Sequence, residues 1–110
     1  MSTAFSETDP ILGGVVRRLV EVYHPLRIYL FGSVARGDAG PDSDYDLLVL
    51  VPDDAPLAHR SSRVGYQALR GTGVAADVIV WTEGAFHRRS TVPSSLPAIV
   101  LREGKVLHAA

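Results

Sequence analysis

Three aspartates and one glycine-serine pair carry the chemistry open to this chain. Gly32-Ser33 follows one apolar run (Leu26, Ile28, Tyr29, Leu30, Phe31), and Asp44-Tyr45-Asp46 opens another, Leu47 to Val51. A third run, Val74 to Trp81, is interrupted by a single acid, Asp77. Short runs rich in β-branched and aromatic residues, bounded by Gly, Pro, Asp and Ser, predict buried strands. Side chains alternate along a strand, so Asp44 and Asp46 share a face about 6 to 7 Å apart, with Tyr45 on the other. Like charges at that spacing repel by about 2.5 kcal/mol at an effective dielectric near 20, and the set calls for a divalent cation. Oxygen ligands without His or Cys favour Mg²⁺ or Mn²⁺. Mg²⁺ leaves coordination positions open for substrate phosphates, which points to phosphoryl or nucleotidyl transfer.

The glycine-serine pair supplies the complementary half. Glycine at a strand end lets a phosphate approach the backbone, and a helix starting at Ser33 aims its amides and positive dipole end at it, with the Ser33 hydroxyl as a further donor. Two metal ions between these groups would clamp an entering hydroxyl and a departing pyrophosphate. Asp77 is the expected third metal ligand and helps deprotonate that hydroxyl. The alternative for Asp77 is a core acid paired with an arginine, because an uncompensated carboxylate in a buried strand is expensive.

The remaining elements must position these groups. Asp9-Pro10 predicts a helix start, with Asp9 as cap and Pro10 where its missing N–H costs nothing. Leu12, Val15, Val16, Leu19, Val20 and Tyr23 then recur at helical spacing until His24-Pro25 stops them. A strand over Leu26 to Phe31, a short helix over Ser33 to Arg36 and a polar loop from Gly37 to Ser43 follow. Pro52 to Pro56 closes the second strand. Leu57 to Arg70 is expected to be one largely exposed helix with Gly71 as its C′ glycine. After the third strand come a turn or short helix over Thr82 to Arg89, a helix over Pro93 to Arg102 capped by Ser94 or Ser95, and a small edge strand at Val106-Leu107. The pattern is that of an α+β fold: a mixed sheet of about four strands with helices packed on it.

The chain has 110 residues, expected to form one domain over 1–110 with a flexible lead-in at 1–8. A hydrophobic fraction of 46% and a charged fraction of 21% fit a folded globular protein. A net charge of −1 gives no basic field for nucleic acid or anionic membrane. The absence of cysteine excludes disulfides and thiolate metal sites, and with no leader pattern and no membrane-length apolar run a cytoplasmic location is expected.

Gly32-Ser33, ten intervening residues, then Asp44-Tyr45-Asp46 and a later acid in a hydrophobic strand resemble the signature of the DNA polymerase β-type nucleotidyltransferase superfamily. The fuller form from Gly32 to Ala39, the small size and the closing Arg102-Glu103-Gly104-Lys105-Val106-Leu107 are similar to the minimal nucleotidyltransferases, MntA-type antitoxins paired with HEPN toxins. The resemblance implies a palm-like mixed sheet and Mg²⁺-dependent transfer of AMP from ATP to a hydroxyl, in the type VII antitoxins a tyrosine of the partner toxin. It also implies metal-holding roles for Asp44 and Asp46, completion of the site by Asp77, and triphosphate contacts from Gly32 and Ser33. Arg36 matches too, either touching phosphate or tying the loop down.

Competing readings are an antitoxin that acts by contact alone, a small-molecule (antibiotic) nucleotidyltransferase working with a separate helical subunit, and nucleic-acid end addition, which the charge balance disfavours. Gly71 to Ala76 fits a dinucleotide-binding glycine string but precedes a strand where that motif must precede a helix. His24, His59, His87 and His108 show no ligand spacing. Arg60, Arg63, Arg70, Arg88 and Arg89 read as solvated faces, and Trp81 as core.

Overall fold

The computed structural model describes residues 9–40 and 44–110. Helix α1, Pro10–Tyr23, begins where Asp9 accepts hydrogen bonds from the Ile11 and Leu12 amides, both at 3.1 Å. It buries Leu12, Val15, Val16, Leu19 and Tyr23. His24 ends it in the left-handed region, with φ of 47°, and donates its N–H back to the Val20 carbonyl. Strand β1 (Arg27–Phe31) runs directly into the short helix α2 (Gly32–Arg36), and β2 (Tyr45–Val51) returns. A 3₁₀ turn (Leu57–Arg60), α3 (Ser62–Ala68), β3 (Ala76–Thr82), α4 (Glu83–Arg89), α5 (Leu96–Glu103) and β4 (Lys105–Ala109) complete the order. Expectations for residues 1–8 and for the loop at 41–43 lie outside the described residues.

The sheet order is β3-β2-β1-β4, with β1 antiparallel to both β2 and β4, and β2 parallel to β3. Mixed α+β architecture is thus as the sequence predicts. The apolar run of β2 has no wet face because each side of the pleat meets a different helical layer. Leu47, Val49 and Val51 join α1 and α3 residues in one core cluster, whereas Leu48 and Leu50 pack with Tyr29, Phe86 of α4 and Val100 of α5 in another. Tyr29 and Phe86 stack with ring centroids 5.8 Å apart, and Trp81 meets Phe86 edge-on at 6.5 Å, a packing role for Trp81. Among the described residues no helix is long and apolar enough to cross a membrane.

The structure corrects several expectations. The predicted helix from Leu57 to Arg70 is broken at Ser61, which adopts φ −107° and ψ 140° and caps α3 by accepting from the Arg63 amide at 3.1 Å. The cause lies in another element. Tyr23 Oη donates to the Ser61 carbonyl at 2.6 Å and accepts from the Gly65 amide at 2.8 Å, drawing the chain out of helical register. The helix also ends at Ala68, so Gly71 falls beyond the C′ position, in a turn with φ of 84°. The third strand is not buried throughout: β3 is the sheet's edge, only Val78 is fully covered, and Asp77 is exposed. Less drastically, α5 starts at Leu96 with Ser95 as cap, three residues after Pro93.

Candidate active site

Asp46 and Asp77 meet side by side. They are register partners in the one parallel strand pair, and Phe31 is the partner of Asp46 on the antiparallel side. Alternation places both acids on the sheet face that carries Leu48, Leu50 and Trp81, at the end of the strands where the apolar residues give out. Asp44 lies exposed just before β2, one pleat repeat from Asp46. Tyr45 points the other way, as alternation requires, and donates its hydroxyl hydrogen to Asp9 Oδ2 at 3.2 Å.

The electrostatics record the crowding. Partial burial pushes the Asp46 carboxyl above the ordinary carboxylate range, the charges of Asp77 and Asp44 push it further, a hydrogen bond with Asp77 adds to this, and Arg36 partly offsets it. Among the described residues no three His, Cys, Asp or Glu side chains are gathered tightly enough to hold a metal ion between them. The oxygen-only pair of Asp46 and Asp77, with Asp44 beside it, nevertheless suits Mg²⁺, which ordinarily takes one or two protein carboxylates and keeps water or phosphate on its other positions.

Gly32 lies against the same carboxylate. Its φ is +74°, and a Cβ built there would collide with Asp46 Oδ2 and stand 3.1 Å from Asp46 Cγ. No other residue meets both conditions. Ser33, half-buried, follows in the first turn of α2, which Ala35 anchors in the core and Gly37 closes with φ of 82°. Arg36, at the end of α2, is exposed and tied to Asp38 Oδ2 through Nε at 3.2 Å and to Glu103 Oε1 through Nη1 at 3.7 Å.

The expected site residues are therefore neighbours, although Asp77 pairs with Asp46 where the alternative reading had it facing an arginine. Glu103 is the residue that motif reasoning passed over. It stands inside the closing segment from Arg102 to Leu107, but its partner is 67 positions away (103 minus 36), and only the packing of α5 near α2 brings the two together. His24 and His59 also approach, with ring centroids 6.2 Å apart, a proximity their spacing does not reveal.

A family model for the nucleotidyltransferase domain matches residues 12–107. The chain belongs to that family. Its span runs from the buried Leu12 of α1 to Leu107 of β4 and so takes in every element around the carboxylates. No curated protein matches the sequence. Among solved structures, this nucleotidyltransferase is similar to a toxin–antitoxin crystallised with AMP-PNP, at 26% identity and a TM-score of 0.59, over 87% of this chain and 72% of the other. It is also similar to a nucleotidyltransferase of Sulfolobus solfataricus described there as putative, at 28% identity and a TM-score of 0.54, over 72% of this chain and 70% of the other. A mutant of the MntA–HpeT toxin–antitoxin shares the fold, at 23% identity and a TM-score of 0.56, over 86% of this chain and 70% of that one.

Proposed function

We propose that this nucleotidyltransferase moves AMP from ATP to a hydroxyl, a tyrosine of a HEPN-type toxin, and so acts as an antitoxin. The observation that carries the reading is the Asp46–Asp77 pair set against the side chain-free face of Gly32, a carboxylate pair beside a turn open to phosphate. A structural relative solved as a toxin–antitoxin with AMP-PNP supports both the ATP and the partner.

Asp46 and Asp77, with Asp44, would hold Mg²⁺, which when bound neutralises triphosphate charge and polarises the reacting phosphate. The turn at Gly32-Ser33 receives the triphosphate through its backbone amides and the Ser33 hydroxyl. Asp77, exposed at the sheet edge, faces the acceptor and takes its hydroxyl proton. The acceptor oxygen forms a bond to the α-phosphorus as the bond from that phosphorus to the bridging oxygen breaks, and pyrophosphate leaves with the electron pair. Position and charge do most of this work.

The test is incubation of the protein with α-labelled ATP, Mg²⁺ and the toxin, followed by intact-mass and peptide mass spectrometry. Label and an AMP-sized mass increment on a toxin tyrosine are expected. Toxin neutralised without any label would instead establish an antitoxin that works by contact alone.

A further inference from the structure

The segment from Arg102 to Leu107 has no part in the chemistry just described, yet its placement is specific. Glu103 ends α5 with Oε1 3.7 Å from Arg36 Nη1. Gly104 then turns the chain into β4 where a methyl group would stand 2.5 Å from the Val100 carbonyl oxygen and 3.1 Å from that of Leu30. Its N–H closes on the Val100 carbonyl at 2.7 Å, and Lys105 pairs with Leu30, two residues before Gly32. One corner thus grips the β1–α2 turn twice, by backbone pairing at Leu30 and by an ion pair at Arg36.

Arg36 is long and exposed, and its charge is felt at Asp46. Asp38 engages Nε and Glu103 engages Nη1. An exposed ion pair adds little to stability, but it selects among the rotamers of a side chain that otherwise loses considerable entropy when a ligand fixes it.

We propose that Glu103 is a positioning residue for Arg36, holding the guanidinium beside the β1–α2 turn, where it meets a phosphate oxygen of ATP. The inference rests on the ATP-dependent reading above. It is tested by titration calorimetry of ATP with Mg²⁺ on the wild type, Glu103→Ala, Glu103→Gln, Arg36→Ala and the Arg36→Ala/Glu103→Ala double variant, with thermal melts alongside. Glu103→Ala is expected to weaken ATP binding about two- to fivefold, the scale of a rim ion pair, without changing the melt. Glu103→Gln keeps most of the affinity, because its amide oxygen still accepts from the guanidinium, and in the Arg36→Ala background the Glu103 change adds nothing. In transfer assays the loss falls on KM for ATP and leaves kcat unchanged. Equal or tighter binding by Glu103→Ala, or a loss that persists without Arg36, overturns the positioning role alone. A wild type that binds no ATP overturns the functional reading together with it.

Discussion

The carboxylate of Asp46 occupies the space that any side chain at position 32 would need, and Gly32 meets it with a backbone φ of +74°. The glycine is therefore required twice, once by conformation and once by contact. Gly32→Ala is expected to cost about 1 to 3 kcal/mol of stability and to abolish transfer, since the Asp46 carboxylate must move to admit the methyl. Urea denaturation with parallel label-transfer assays checks this. An active Gly32→Ala variant of wild-type stability would separate the turn from the acids.

Asp46→Asn should remove activity and strengthen the metal-free fold. The folded-state pKa of Asp46 is raised, so its ionisation opposes folding: the penalty is absent below about pH 4, grows as pH rises through the folded value and persists at neutrality. The amide carries no such penalty. Its advantage at pH 7, kept below about 1 kcal/mol by solvent screening, should disappear at acid pH. Melts across pH measure it, and a variant less stable than wild type at neutral pH would contradict the crowding at this site.

Divalent cations should act on the same account. Mg²⁺ or Mn²⁺ raises the melting temperature of the wild type at pH 7 by mass action on the native state, chelation reverses the gain, and Asp46→Asn abolishes it. Differential scanning fluorimetry with and without chelator reads this directly. An identical metal response in wild type and variant would move the cation elsewhere.

Tyr23→Phe leaves the ring in place and removes the hydroxyl that bridges Ser61 and Gly65. The Gly65 amide is then buried without its acceptor, at a cost of about 1 to 3 kcal/mol. Urea midpoints should show the loss while ATP affinity stays as it was, because the bridge sits on the helical layer opposite the acids.

Partial burial holds His108 below the usual imidazole range. The unfolded chain takes up the proton nearer pH 6.5, so this residue's effect on stability is neutral above that value and unfavourable as pH falls through it towards the folded value. His108→Gln should flatten the decline in urea midpoint between pH 7.5 and 5.5. An unchanged slope would place the titration in another group.

Much of this arrangement is legible in the residues, because it depends on local rules. Asp9-Pro10 states a helix start in its own chemistry, and the two-faced burial of β2 is written in five successive aliphatic residues. The alternation of Asp44, Tyr45 and Asp46 likewise needs only a pleat. What escaped depends on partners distant in sequence. The break at Ser61 is imposed by the Tyr23 hydroxyl, and hydrophobicity alone cannot tell an edge strand from a central one, which is why β3 reads as buried. The Arg36–Glu103 pair is invisible for the same reason.

The edge location of β3 has a consequence for durability. One of the two paired acids rides on a ribbon that the sheet grips along a single side, and such margins fray before the centre melts. Catalytic competence should therefore fade on warming while circular dichroism still reports an intact fold.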